Sequence, residues 1–293
     1  MLRLNIDQLV RLSVSGEISN PTLRKTGYVV NAQGQVEVYP SVGGITYNVR
    51  IGDLATGWMA DHVEPGVSIR NNAPASGEYS ANAALNVLAC IGNKVRIISG
   101  EAKGEWGFVT GKHGGVDHVI VDFQPEILDR LLIGDKVLIQ SFGVGLRLLD
   151  YYPDVVVMNL DPGLLQALTL KEGKQLQAAV THLIPAKLMG AGIGSSSAHS
   201  GDYDIQILDE TAIKQYGLNE LKLGDIIAIT DSDSSYGWIY REGAITIGVV
   251  VHSNSVISGH GPGVVTILTS ANGRIKPLID KNSNLKNFLS KIA

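Results

Sequence analysis

A mainly β fold with short helices, an α+β chain whose β regions form barrel-like units, is what the sequence predicts from three observations. Short runs rich in Val, Ile, Thr and Tyr recur along the whole length, each bounded by Gly, Asp, Asn or Pro. Glycine is abundant, at 34 of 293 residues, and only 18% of residues are charged. That composition describes a turn-rich compact chain rather than a disordered, coiled-coil or long-helix one. Finally, a strand, a short helix and a Gly-Asp pair opening the next strand occur in the same order at 118–140 and again at 203–230.

Taken in order, strands are expected at Gly27–Val30, Val36–Tyr39, Ile45–Ile51, Val95–Ser99, Gly107–Thr110, His118–Asp122, Lys136–Ser141 and Asp154–Asn159, then at Gln177–Ile184, Tyr203–Leu208, Asp225–Thr230, Ala244–His252 and Val264–Thr269. Helices are fewer and short: Tyr79–Cys90, with Ala and Leu at helical spacing, Pro125–Leu132, Gly163–Leu168, Glu210–Tyr216 and Asn284–Ile292. Gly134-Asp135 and Gly224-Asp225 close the two repeated units, and Gly52-Asp53 is a third such pair. Glycine supplies a turn conformation barred to other residues and aspartate caps the turn, so these aspartates read as turn-makers rather than ligands.

The segment 93–123 is similar to the KOW motif of ribosomal and transcription proteins, in which a strand, a Lys-Gly turn and a returning strand belong to an SH3-like barrel. The resemblance implies RNA binding. Here, however, four Lys or Arg face four Asp or Glu, and without a basic excess the electrostatic attraction that dominates RNA affinity is missing. The segment is therefore read as architecture. Three regions are expected: 1–92, an N-terminal Gly-rich β region with one helix; 93–150, the SH3/KOW-like segment; and 151–293, a C-terminal β region with Gly-rich loops, the three packed as one body.

Partners and location follow from charge and hydropathy. The net charge of −4 argues against nucleic acid as a partner. The longest apolar run, 244–251, is far short of the ~20 residues a membrane helix needs, so no membrane partner is expected. A single cysteine, Cys90, fits a reducing cytoplasm. A mean hydropathy of +0.13 with few charges points to apolar surface covered in a homo-oligomer.

Five clusters carry the chemistry. Asp61, His62 and Glu64 fall within four positions before a Pro-Gly stop, so one loop can aim two of them at a single point. His113 lies between Lys112 and a Gly-Gly pair. The stretch 189–204 contains Gly192, Gly194, Ser195, Ser196 and Ser197 as potential ligand-gripping groups, followed by His199, Asp202 and Asp204. It is no dinucleotide loop, because a strand rather than a helix follows, and it is no Walker loop, because Gly-Lys-Ser/Thr is absent. Asp231 and Asp233 precede Tyr236 without the twelfth-position Glu of an EF-hand. His260, framed by glycines and a proline, is hard to explain by packing, whereas His252 at the end of an apolar strand reads as a satisfied residue of a barrel mouth.

The strings GGITYNVRIGDLATGWMADHVEPGVS, AKGEWGFVTGKHGG, NLDPGLLQ, GSSSAHSGDYDIQ and YGWIYREGAITIGVVVHSNSVISGHGPGV together resemble domain of unknown function 4438, a prokaryotic family. The resemblance implies a β-rich soluble fold of this length and assigns no activity. The Gly-Asp pairs followed by Asp and His in Gly-rich loops are also similar to acetamidase/formamidase-type amidases.

These clusters lead to the expectation of a metal-assisted hydrolase acting on an amide or related carbonyl bond of a small polar molecule. A divalent cation would be held by Asp61, His62, His199, Asp202, Asp204 and His260. Glu64, as general base, and His113 would be catalytic, and Gly192, Gly194, Ser195 to Ser197 and Tyr236 would bind substrate. The alternative is a non-catalytic small-ligand-binding or oligomeric assembly protein. Either way, the N-terminal and C-terminal histidines are expected to meet at one site.

Overall fold

The computed structural model describes residues 2–23, 25–194 and 196–292. Among them are five short α-helices and three single-turn 3-10 helices, and the rest of the regular structure is β. No helix of the described residues is long and apolar enough to cross a membrane.

Six strands close an antiparallel barrel. In sheet order they are Leu12–Ile18, Lys136–Ser141, Lys94–Ile97, Trp106–His113, His118–Asp122 and Gly66–Arg70. Closure comes where Glu17 and Ile18 pair with Arg70 and Ile69. Alternation dictates the interior: Lys94–Ile97 and Lys136–Ser141 bury every second residue, placing Val95, Ile97, Val137 and Ile139 inside with Val14, Ile69, Val119 and Val121. Each such side chain contributes about 1.5–3 kcal/mol when fully buried. Two of the six strands, Leu12–Ile18 and Gly66–Arg70, were not expected from sequence. Both do alternate, with Leu12, Val14 and Ile18 in one and Val67 and Ile69 in the other, but serine and glycine between the apolar positions weaken the strand signal. The barrel thus takes strands from both sides of residue 92.

The second half is built on a six-stranded sheet ordered Val156–Val157, Gly263–Ser270, Ile239–Val250, Ile226–Asp233 and Leu183–Pro185, with Tyr203–Asp204 also pairing to Gly263–Ser270. A smaller sheet sets Leu176–Val180 between Leu170–Lys171 and Ile275–Ile279. The expected Gln177–Ile184 strand is therefore two strands in different sheets, turning at Thr181-His182. The Tyr203–Leu208 expectation shrinks to Tyr203–Asp204.

All three Gly-Asp pairs make the same turn. Gly52, Gly134 and Gly224 have φ of 101°, 88° and 84°, and the following aspartate accepts the N–H three residues back: Arg50 to Asp53 at 2.7 Å, Leu132 to Asp135 at 2.9 Å, Lys222 to Asp225 at 2.9 Å.

The two halves meet where the site lies. Backbone bonds run from Ile91 N–H to Asn159 O and from Asp161 N–H to Ile91 O. The Trp106–His113 strand shifts register between Val109 and Gly111. Beyond that bulge, Gly111 passes so close to Val251 that an added Cβ would stand 2.6 Å from the valine side chain. This approach brings His113 beside His252.

Candidate metal centre

His62 occupies the loop before Gly66–Arg70 with φ of 55°, a left-handed conformation that costs a non-glycine residue free energy and must be held by its surroundings. The loop is held by His62 N–H to Asn254 O, and by the Asp61 carboxylate, which accepts Ser255 Oγ at 2.8 Å and Val256 N–H at 3.3 Å. His113 ends a barrel strand opposite His118. His252 follows the Ile239–Val250 strand, His260 lies in the next loop, and Asp202 and Asp204 flank Tyr203 on the short strand paired with Gly263 and Val264. Tyr203 points the other way and stacks on Trp238.

Residues about 200 positions apart converge as a result. The ring of His62 lies 5.7 Å from His113, 5.3 Å from His252 and 5.0 Å from His260, and the rings of His113 and His252 are 4.2 Å apart. Two groups of three have the geometry to hold metal ions: His62, Asp204 and His260, and His113, Asp202 and His252, with the ligand atoms in each within 4.8 Å of one another. Gly263 is essential to the second, since a Cβ there would overlap Asp202 Oδ2 and His252 Nε2.

Three of the four rings have one nitrogen engaged away from the cluster. His113 Nδ1 is 2.6 Å from Glu64 Oε1, His62 Nδ1 is 3.1 Å from Asp61 Oδ1, and His252 Nδ1 donates to Ser253 O at 2.9 Å. With Nδ1 engaged there, each Nε2 faces the cluster; that of His252 donates to Asp202 Oδ2 at 2.6 Å, and a cation would take that proton's place. His62 Nε2 and His260 Nδ1 face one another at 3.1 Å, which requires a proton or a cation between two such nitrogens.

Charge follows the same plan. Burial alone would raise the Asp61 carboxyl, but hydrogen bonds from His62, Ser255 and Val256 hold it at about 2. Burial likewise opposes ionisation of Asp204, yet His252, His260 and His62 hold it well below the carboxylate range. His252 is fully buried, which disfavours its charge, but Asp202 and Asp204 together lift its pKa well above the usual imidazole value. A cation would meet the same attraction.

The other residues singled out from sequence fall as follows. Glu64 sits beneath the cluster, 1% exposed, with its oxygens taken by His113, His118, Ser68 Oγ and Gly43 N–H, so it orients His113 and does not face the cavity. Burial would raise the Glu64 carboxyl, but the two histidines pull it well below its usual range. Asp61 holds the far nitrogen of His62 and belongs to neither group of three. His199 also stands outside both groups: it is exposed, and its carbonyl oxygen accepts Lys112 Nζ at 2.7 Å. Gly192 and Ser197 line a cavity of about 510 Å³ above the cluster, together with Thr22, Ser41, Ser200 and Trp238. Gly194, Ser196 and Tyr236 are exposed and not part of that lining, Tyr236 being 93% exposed, and Ser195 lies outside the described residues.

Sequence reasoning did not single out His252, His118, Lys112 or Asn159 as site residues. Lys112 is fully buried and donates to Asn159 Oδ1 at 2.8 Å and His199 O, while Asn159 Nδ2 donates to Ala198 O at 2.8 Å, so the pair grips the loop leading to Asp202. Gly114 N–H then holds Asp202 Oδ1 at 2.7 Å. The usable signal for His252 was its place at the end of a strand with Gly-rich chain following.

A closed barrel joined to a second β sheet, with a histidine and aspartate cluster at the junction, defines the class structurally. The chain belongs to the domain of unknown function 4438 family: the N-terminal family model matches residues 28–166 and the C-terminal model residues 165–289. It is similar to a protein whose crystal structure is described as that of TM1086, with 49% identity over 98% of this chain and 99% of that one and a TM-score of 0.92. No curated protein matches the chain.

Proposed function

We propose that this protein is a metal-assisted hydrolase that cleaves an amide or related carbonyl bond in a small polar molecule. The observation that carries this reading is the set of pinned imidazoles. His62, His113 and His252 each have Nδ1 tied to a protein acceptor, and the three rings meet in one cluster with Asp202 and Asp204. Nitrogen and carboxylate donors in that ratio suit a borderline divalent ion such as zinc, manganese or iron. Such an ion polarises a carbonyl and lowers the pKa of water toward about 7.

The chain's own residues do the rest. Glu64, Asp61 and Ser253 O fix the tautomers, so the donors need no rearrangement when the ion arrives. Hydroxyls of Thr22, Ser41, Ser197 and Ser200 line the cavity and can hydrogen-bond a polar substrate, with Trp238 as a flat wall. Glu64 has no free oxygen for proton transfer in this arrangement, so its part is orientation.

Metal analysis of the purified protein, followed by assays on a panel of small amides, lactams and esters, tests the reading. Stoichiometric metal with hydrolysis that a chelator abolishes and added metal restores is the expected result. Hydrolysis unaffected by complete metal removal, or a metal-bound protein inert across the panel, would sink it.

A further inference from the structure

We infer that the centre is dinuclear and unequal: one cation resides in the buried His113, Asp202, His252 set, a second exchanges at the cavity mouth in the His62, Asp204, His260 set, and Asp204 bridges them. The inference rests on the metal reading above and extends it to the number, order and bridging of the ions.

The bridge comes from the two oxygens of one carboxylate. Asp204 Oδ2 stands 3.1 Å from His260 Nδ1 and 3.8 Å from His62 Nε2, whereas Oδ1 turns to the other set, 3.6 Å from His252 Nε2. Each set alone offers three donors, one fewer than a closed tetrahedral site needs. Asp204 Oδ1 supplies the buried set with a fourth. The two sets are too close to be independent, because the His62 ring is only 5.3 Å from His252 and 5.7 Å from His113. At that spacing two dications repel strongly unless a shared anion lies between them, and Asp204 occupies that place.

The inequality comes from anchoring and exposure. Every donor of the buried set has a second contact that fixes it: His113 on Glu64, His252 on Ser253 O, and Asp202 on Gly114 N–H. The His252 side chain is completely buried. In the mouth set the His260 side chain is 35% exposed, and its only polar contacts among the described residues are His62 and Asp204 of its own set. Donors fixed in advance lose little freedom on binding, and a side chain without such an anchor loses more. The buried set therefore fills first and releases its ion last.

Mn²⁺ alone is the probe. Metal-stripped protein is titrated with Mn²⁺ by calorimetry, bound metal is counted by mass spectrometry, and electron paramagnetic resonance reports whether the ions are coupled. Two ions per chain are expected, in two steps at least about tenfold apart in Kd, with an exchange-coupled multiline signal after the second step. His260→Ala, at a partly exposed position, should keep one ion within about threefold of the wild-type first-step affinity and show only an isolated six-line signal. His252→Ala should lose the tight step, and melting curves report whether it folds. Two uncoupled six-line signals would overturn the bridge. A His260→Ala variant that retains two ions, or loses the tight step, would overturn the order of filling. One ion per chain in the wild type would overturn the dinuclear inference while leaving a metal-assisted hydrolase standing, and no bound metal would remove both.

Discussion

Replacing Glu64 by Gln tests how the buried carboxylate supports the centre. Glu64 is 1% exposed and takes hydrogen bonds from four groups: His113 Nδ1 at 2.6 Å and His118 Nδ1 on one side, and Gly43 N–H at 3.0 Å and Ser68 Oγ on the other. A glutamine has one accepting oxygen and one NH₂. If the oxygen stays with His113, the NH₂ meets Gly43 N–H, and two donors face each other with no water to satisfy either. Turned round, the NH₂ meets His113 Nδ1 and drives its proton to Nε2, the atom meant for the metal. Breaking one partner of a buried charged network costs about 3–5 kcal/mol, which at about 2 °C per kcal/mol for a chain of this size lowers Tm by roughly 6–10 °C. Loss of a carboxylate behind a ligating histidine weakens metal binding about 10–100-fold. Scanning calorimetry of the metal-free protein and Mn²⁺ titration measure the two effects separately. A Glu64→Gln protein within 2 °C and threefold of wild type would refute the idea that this carboxylate sets the tautomer of His113.

Three other perturbations probe the neighbourhood. Gly263→Ala puts a methyl group against Asp202 and His252, so bound metal should fall by at least one ion per chain while overpacking costs about 1–3 kcal/mol, as read by metal counting and melting. Lys112→Met removes the donor to His199 O and Asn159 Oδ1, loosening the loop that ends in Asp202; metal affinity should drop about tenfold, and unchanged affinity in a titration would show that the loop needs no such grip. Burial and nearby Lys281 lower the pKa of His182, so the unfolded chain takes up a proton near pH 6.5 that the native form resists. Its contribution to stability is thus full above that pH and lost as pH falls through it, and His182→Asn should flatten the Tm decline between pH 7 and 5 relative to wild type.

The parts of the site legible in sequence were those where glycine or proline framed a polar residue in a loop. Asp61, His62 and Glu64 stood out before Pro65-Gly66, and His260 stood out among glycines. Their division of labour was not legible. Glu64 becomes an orienting group because strand pairing sets His118 directly beside His113 and Ser68 one strand further, and Asp61 holds His62 because Ser255 and Val256 come alongside. His199 and Asp202 are three positions apart in one polar loop, yet Lys112 holds the first by its backbone while Gly114 turns the carboxylate of the second inward. His252 was hidden because an apolar strand end is also the signature of ordinary core.

By itself the sequence determined the properties that depend on neighbours in the chain: alternation that buries one face of Lys94–Ile97 and Lys136–Ser141, and Gly-Asp pairs whose aspartates cap their own turns. Only the tertiary structure decided that Leu12–Ile18 and Gly66–Arg70 close the barrel, and that His62, His113, Asp202, Asp204, His252 and His260 converge on one cluster. The physical reason is range. Turn and strand preferences act over a few residues, whereas the meeting of side chains up to 198 positions apart depends on strand register, on the bulge before Gly111 and on the close approach allowed at Gly263, which exist only once both halves have packed.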